Sequence, residues 1–137
     1  MSSYEATAQE RTELLKTAKT VAIVGISDKP DRPSFGVAKY LHESSEYELY
    51  FVNPALDSLF GLPAYKSLAD IPVAIEIVDV FRKPEDCMSV LESALDVGAK
   101  AIWLQLGIRN EEVAEKAHEA GMTVVMDRCI LIDHRAL

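Results

Sequence analysis

A polar loop that follows the first apolar run of the chain carries the residue types that bind a phosphate group. Lys29 and Arg32 supply positive charge, and Ser34 stands where a helical pattern begins. The free N–H groups at the start of a helix, together with the helix dipole, favour an anion. Pro30 and Pro33 each fix a backbone angle and so stiffen the loop. These features predict a loop that holds a phosphate.

The glycines at the two ends of this loop do not have the spacing of an NAD-binding turn. That turn needs the pattern G-x-G-x-x-G, and an acidic residue at the end of the second strand binds the ribose hydroxyls. Here Gly25 and Gly36 flank a longer loop, and the second predicted strand ends at Asn53. Because a neutral asparagine does not repel a phosphate, the pattern favours a nucleotide richer in phosphate than NAD. Coenzyme A (CoA) is such a nucleotide, and NADP is an alternative.

No arrangement of side chains in the sequence indicates a catalytic residue or a metal site. His42, His118 and His134 lack the spacing of metal ligands, and neither a Ser-His-Asp pattern nor a nucleophile elbow is present. Cys87 and Cys129 are far apart and are interpreted as reduced thiols. The sequence therefore favours a binding module over an enzyme. A small NADP-dependent oxidoreductase and a protein-interaction domain without a ligand are the alternatives.

Apolar runs alternate with helical patterns along the chain. Runs typical of buried strands cover residues 21–26, 47–52, 75–80, 101–106 and 123–126. Helical patterns cover residues 34–44 and the segments that begin at Pro84 and Asn110. The alternation predicts a single-domain α/β fold, a Rossmann-like, doubly wound parallel sheet with helices on both faces.

The N-terminal segment precedes this alternation. Thr7 and Glu10 have the spacing of a capping box, so residues 7–18 are expected to form a helix that packs on the domain. We therefore expect an N-terminal helix in residues 1–19 and a Rossmann-like domain in residues 20–137.

The predicted sheet brings the polar loop to a crevice. In the expected strand order 3-2-1-4-5-6, strands 1 and 4 flank the switch point, and ligands bind there beyond the carboxyl ends of the strands. The third strand is expected to be weak and to come from the irregular segment 53–74. The candidate binding residues are Gly25, Ile26, Ser27, Lys29, Arg32, Pro33, Ser34, Phe35, Gly36, Asn53, Pro54, Val80, Phe81, Arg82, Gln105 and Gly107.

Several residues near the crevice have a structural interpretation. Trp103 is expected to fill the core, because aromatic residues in buried strands usually fill volume. Cys129 is expected to be a small buried side chain. Asp127 and Arg128 are expected to form an ion pair with each other.

Length, charge and hydropathy narrow the class of protein. The chain has 137 residues, of which 49% are hydrophobic, and a net charge of −8. These values fit one domain with a real core, and the negative charge argues against binding to nucleic acids or anionic membranes. No apolar run approaches the roughly 20 residues that span a bilayer, and the N-terminus lacks the pattern of a signal peptide. We therefore expect a cytoplasmic protein.

Six segments carry a resemblance to a known family over almost the whole chain, from about Thr20 to Leu137. They are "VGISDKPDRPSFGVAKYL", "VNP", "AYKSLADIP", "EIVDVFRKPED", "GAKAIWLQLGI" and "VVMDRCILIDH". In order and spacing they resemble the small stand-alone CoA-binding domain proteins, which are similar to the CoA-binding domain of the succinyl-CoA ligase α-subunit. The resemblance implies a domain that binds CoA or an acyl-CoA, without ligase chemistry of its own.

The resemblance also implies where the parts of CoA would lie. The diphosphate would lie on residues 25–34, and residues 53–54 would border the ribose or adenine. Residues 80–82 would border the nucleotide and the start of the pantetheine, with Gln105 and Gly107 along its onward path. The expected partners are CoA or acyl-CoA, and at most a weak homodimer or a CoA enzyme.

The sequence departs from the ligase pattern at one point. Where the ligase-type domain tends to place a basic residue after Asn-Pro, this chain has Ala55. The 3′-phosphate would then depend on another cation. The candidates are Lys29, Arg32, Lys66 and Arg82, although Arg82 could instead pair with Asp79 or Asp86.

Overall fold

The computed structural model describes residues 4–137, and within them the chain forms a seven-stranded sheet. The strands are β1 (Thr20–Val24), β2 (Glu48–Val52), β3 (Ser58–Leu59), β4 (Leu62–Tyr65), β5 (Ile77–Val80), β6 (Ala101–Leu104) and β7 (Thr123–Val125). Their order is β3-β4-β2-β1-β5-β6-β7, with β3 antiparallel to β4 and every other pair parallel. The expected order is confirmed, with the β3–β4 hairpin in place of the weak third strand.

Helices cover both faces of the sheet, which confirms the predicted Rossmann-like α/β fold. They are α1 (Ala8–Thr17), α2 (Pro33–Ser44), α3 (Cys87–Asp96), α4 (Glu111–Glu119) and α5 (Ile130–Arg135). Leu91 of α3 and Val113 of α4 belong to the apolar cluster on one face. Leu15 of α1, Leu41 of α2 and Ile130 of α5 belong to the cluster on the other face.

The N-terminal helix begins with the capping box that the sequence predicts. The Glu10 amide donates to the Thr7 hydroxyl at 3.1 Å, and the Thr7 amide donates to the Glu10 carboxylate at 2.9 Å. Arg11 joins this helix to α5 through an ion pair with Asp133 at 3.2 Å. Just before the helix, the Ala6 amide donates to the Val124 carbonyl at 2.7 Å, so this segment extends the β7 edge of the sheet.

Two strands end two residues earlier than their apolar runs. The run 21–26 leaves the sheet at Val24 because Gly25 takes a φ of +86° and turns the chain. The run 101–106 leaves it at Leu104, because a turn closed by the Ile108 amide on the Gln105 carbonyl, at 2.9 Å, follows. Both turns lie at the carboxyl edge of the sheet, and so the candidate site begins there. Within residues 4–137, the helices are all too short or too polar to cross a bilayer.

Candidate functional site

Two cavities meet beyond the carboxyl ends of β1 and β5, at the switch point of the sheet. The first, which we name the β2-side cavity, has a volume of about 500 Å³ and reaches from the ends of β1 and β2 to α3. The second, the β6-side cavity, has a volume of about 430 Å³ and reaches from the same loop to Gln105 and α5. Gly25, Phe81 and Arg82 line both cavities, so together they form one crevice with Arg82 at its middle.

Most of the candidate binding residues line this crevice. The β2-side cavity includes Asn53 and Pro54. The β6-side cavity includes Ser27, Arg32, Pro33, Ser34 and Gln105. The topology thus brings together residues from four separate loops, as parallel strands require at a switch point.

Six of the candidate residues lie outside the two cavities. Val80 is fully buried in the core, because its side chain faces α3 from the middle of the sheet. Ile26 is also fully buried, and Phe35 packs against Phe60 with ring centroids 5.2 Å apart. Lys29 and Gly36 are exposed, and neither lines either cavity.

Gly107 is the sixth of these residues, and it serves a turn. Its φ is +85°, and its amide donates to the Asp127 carboxylate at 2.6 Å. The Asp127 carboxylate therefore accepts from the backbone of this turn and does not pair with Arg128. The Arg128 guanidinium pairs with Asp133 at 2.9 Å. The expected ion pair between Asp127 and Arg128 is wrong, because the two side chains serve different contacts.

The first loop keeps only part of its backbone N–H groups free. The Ser27 amide donates to the Ser34 hydroxyl at 3.0 Å, the Lys29 amide to the Ser27 hydroxyl at 3.1 Å, and the Arg32 amide to the Lys29 carbonyl at 3.0 Å. These bonds hold the loop in shape, but they remove donors from any ligand. Within the described chain, the loop amides without an acceptor are those of Ile26, Asp28, Asp31 and Ser34.

Gly25 is required by the packing of the protein itself. A Cβ on this residue would lie 2.4 Å from the Phe81 carbonyl oxygen and 2.9 Å from Cδ of Arg82. The glycine thus lets the loop after β1 lie against the end of β5. This contact with the end of β5 explains the glycine without any bound ligand.

Asn53 holds two loops together. Its side-chain nitrogen donates to the Ile26 carbonyl at 2.6 Å, and its side-chain oxygen accepts from the Ala55 amide at 2.8 Å. Only an amide offers a donor and an acceptor in this geometry, because an ionised aspartate accepts only. The neutral residue at the end of β2 is therefore explained by the fold, and it still forms part of the cavity wall.

Three cations border the crevice. Arg82 approaches Asp86 at 3.6 Å with both side chains largely exposed, a pair of small energetic value. Lys66 lies in the β2-side cavity, where its amine donates to the Pro54 carbonyl at 3.3 Å. Arg32 lines the β6-side cavity and forms no ion pair with any residue from 4 to 137. The crevice thus offers positive charge at both ends and at its centre.

Two completely buried side chains on neighbouring central strands carry polar groups. Trp103 is fully buried, as predicted, and its ring N–H donates to the Arg128 carbonyl at 2.8 Å. Asp79 lies beside it in the register of β5 and β6 and is also fully buried. Burial raises the pKa of the Asp79 carboxyl well above its ordinary value, and neither oxygen finds a partner among the described residues. Arg82 therefore does not pair with Asp79.

Sequence reasoning missed the residues that helices and turns contribute to the walls. Ser89 and Ser93 of α3 line the β2-side cavity, and Leu106 and Ile132 line the β6-side cavity. The signal for the two serines was present, because they lie one helical turn apart on the polar side of an amphipathic helix. Leu106 and Ile132 carried no such signal.

The two cysteines differ in their surroundings, and this gives a first prediction. Cys87 is fully buried, and burial raises the pKa of its thiol to about 11. Cys129 is half-buried and lines the β6-side cavity, in contrast to the buried position expected for it. At pH 8 we expect an aromatic disulfide reagent to modify one thiol in the folded protein and two in denaturant, because a thiolate is the reactive species. Rapid modification of both thiols in the folded protein would contradict this.

Comparison with known proteins gives relatives of two kinds. The YneT protein of Bacillus subtilis is 42% identical over 125 residues, which are 91% of this chain and 92% of YneT. A solved structure of a hypothetical protein from Pyrococcus horikoshii OT3 superposes with a TM-score of 0.93 at 39% identity, covering 100% of this chain and 96% of that one. The α-subunit of the ADP-forming acetate–CoA ligase II of Pyrococcus furiosus is 26% identical over 120 residues.

The two kinds of relative differ in the share of their own length that this chain covers. The ligase alignment covers 80% of this chain but only 26% of the ligase subunit, so the chain corresponds to one part of that enzyme. The sequence profile of the CoA-binding domain family matches residues 19–135, which include every element from β1 to α5. The chain therefore belongs to the CoA-binding domain family.

Proposed function

We propose that this protein binds CoA across the two cavities, with the adenosine end in the β2-side cavity and the pantetheine arm in the β6-side cavity. The observation that carries the proposal is that the two cavities meet at Gly25, Phe81 and Arg82, beyond the carboxyl ends of the strands. The chain's membership of the CoA-binding domain family supports the same ligand. Two adjoining cavities of about 500 and 430 Å³ suit a ligand with a nucleotide and a long arm. A mononucleotide would fill one cavity only.

The residues present fit the charges and polar groups of CoA. Arg82 at the middle of the crevice and the free Ser34 amide at the start of α2 suit the diphosphate. Lys66 suits the 3′-phosphate, because it lines only the β2-side cavity, with Asn53 and Pro54, whereas Arg82 lines both cavities. Val37 and Phe81, apolar side chains of the β6-side cavity, suit the pantetheine. Catalysis is not part of this proposal.

A thermal-shift series tests the proposal. A ligand that binds only the folded state raises the melting temperature, and the rise grows with ligand concentration. We expect CoA to raise it more than dephospho-CoA, ADP, NAD or NADP at equal concentrations. Equal shifts for all five ligands, or none, would remove the CoA assignment. A larger shift with NADP than with CoA would support the oxidoreductase alternative, and no shift with any ligand would favour an interaction domain.

Two matched charge variants test where the 3′-phosphate lies. Lys66→Ala is expected to weaken CoA binding about five- to thirtyfold and to leave dephospho-CoA binding nearly unchanged, because a charge-assisted hydrogen bond is worth about 1–2 kcal/mol. Arg32→Ala should weaken the two ligands equally, because Arg32 lies in the other cavity. Titration calorimetry measures both ratios. If Arg32→Ala alone discriminates between the ligands, the adenosine end lies in the β6-side cavity instead.

The related ligase subunit suggests the setting of this function. That subunit is longer than the part that matches this chain, so the CoA-binding part works there beside other parts of an enzyme. We therefore include a CoA enzyme as a partner in the proposal, with a weak homodimer as the alternative. A cytosolic location also belongs to it, because two free thiols suit a reducing compartment.

A further inference from the structure

The outer end of the β6-side cavity is apolar and exposed. Leu106 and Ile132 line it with 65% and 50% of their surfaces exposed, and they are among the few large apolar side chains so exposed in residues 4–137. Single exposed apolar residues are common, but two at the mouth of one cavity form a surface that gains from being covered. Ile108, half-buried, continues this surface inward.

A hydrogen-bond donor lines the same cavity as these apolar side chains. Gln105 is only 3% exposed, and its side-chain oxygen accepts from the Ile130 amide at 3.1 Å. Because an N–H group must bond an acceptor, this contact fixes the orientation of the amide and leaves its nitrogen as the free donor. Among the described residues nothing accepts from that nitrogen, although the side chain forms part of the cavity wall. This nitrogen is not one of the fully buried atoms without a partner, so it faces the solvent of the cavity, where a ligand carbonyl would replace water as its acceptor.

We propose that the β6-side cavity selects acyl-CoA over free CoA, and that a short aliphatic acyl chain covers Leu106 and Ile132. The Gln105 nitrogen would donate to a carbonyl oxygen of the bound thioester. The inference rests on the proposed function, since the CoA moiety must occupy the same crevice. The distribution of side chains supports it: Lys66 lines only the β2-side cavity, and Arg82 lies where the two cavities meet. The exposed apolar side chains line only the β6-side cavity, which Arg32 also borders.

A ligand series measured by titration calorimetry tests this inference on the unmodified protein. The series is CoA, acetyl-CoA, butyryl-CoA and hexanoyl-CoA. Each methylene that leaves water is worth about a fourfold gain in affinity, so we expect butyryl-CoA, with two more methylenes, to bind about fifteenfold tighter than acetyl-CoA. Tight binding of CoA with no gain along the series would overturn the inference and leave the proposed function standing. No binding of CoA or of any thioester would overturn both.

Three variants with glutamine substitutions locate the acyl chain. Leu106→Gln and Ile132→Gln should each reduce the butyryl-to-acetyl ratio at least threefold and leave the affinity for free CoA nearly unchanged. The matched control is Leu137→Gln, because Leu137 is also 50% exposed but lies outside this cavity. The control should keep the ratio of the unmodified protein. If the cavity variants keep that ratio and instead change the sedimentation of the protein, the apolar mouth is a contact between copies and the inference is wrong.

Discussion

Replacing Asp79 with asparagine is expected to stabilise the protein, by an amount that grows as the pH rises above about 4. Asp79 lies in β5 between Ile23 of β1 and Trp103 of β6, and all three side chains are fully buried. Its carboxyl has no hydrogen-bond partner in the described chain, and burial raises its pKa well above 3.8. The folded protein therefore keeps this carboxyl protonated at pH values where the unfolded chain releases the proton.

The direction of the pH dependence follows from that difference. Below the pKa of the unfolded chain both states hold the proton, so ionisation of Asp79 takes nothing from the free energy of unfolding. Above it, folding must take up a proton, so the free energy of unfolding falls by up to about 1.4 kcal/mol per pH unit until the folded pKa is passed. Asparagine has no such proton to take up.

Urea unfolding between pH 4 and pH 8 measures this effect. The unmodified protein should lose stability across the range relative to Asp79→Asn, and the two should be most alike at pH 4. Asp57→Asn is the matched control, because Asp57 is exposed, and it should follow the unmodified protein. A variant that is less stable than the unmodified protein at every pH would show that the carboxyl has a partner in solution.

Replacing Gly25 with alanine is expected to destabilise the protein by about 3 kcal/mol. A side chain at a φ of +86° is unfavourable by about 1–2 kcal/mol, and the overlap with the Phe81 carbonyl adds about 1–3 kcal/mol. Because Gly25 lines both cavities, the shift of the loop should also weaken CoA binding.

Gly36→Ala is the matched control for that change. Gly36 lies in the first turn of α2, and a Cβ there would meet no heavy atom outside its own helix within 4 Å. Alanine should therefore stabilise this helix by about 0.5–1 kcal/mol. Urea unfolding of both variants measures whether each substitution lowers or raises the free energy of unfolding. A Gly25→Ala protein as stable as the unmodified one would mean that the loop after β1 does not pack on β5 as described.

The elements with local signals could be predicted from the sequence. The capping box at Thr7 and Glu10 depends on residues three apart, and the N-cap at Asn110 depends on the Val113 amide, so both are visible in a short window. Apolar runs predicted the parallel strands and hence the sheet order. Strand ends were less exact, because an apolar run continues into the buried loop at Ile26 after the pairing has stopped.

The sequence predicted which loops the sheet topology brings to the site, but it did not predict the contacts within the site. The hydrogen bond from the Asn53 side chain to the Ile26 carbonyl joins residues far apart in sequence and depends on the register of the strands. The sequence therefore assigned Asn53 to a ligand, whereas its side chain bonds the protein's own backbone. The internal bonds of Ser27 and Ser34 remained hidden for the same reason, and they use N–H groups that the loop pattern assigned to a phosphate. The place of Ile132 depends on how α5 returns across the sheet.

The most direct test of the account is a titration with CoA followed by amide NMR shifts. CoA should shift the amides of Gly25, Ser34 and Arg82 at the carboxyl edge of the sheet, at one CoA per chain. Gly98 and Gly121, in the turns that precede β6 and β7 at the opposite edge, should not move. Shifts confined to that opposite edge, or no shifts at millimolar CoA, would contradict a CoA site at the switch point.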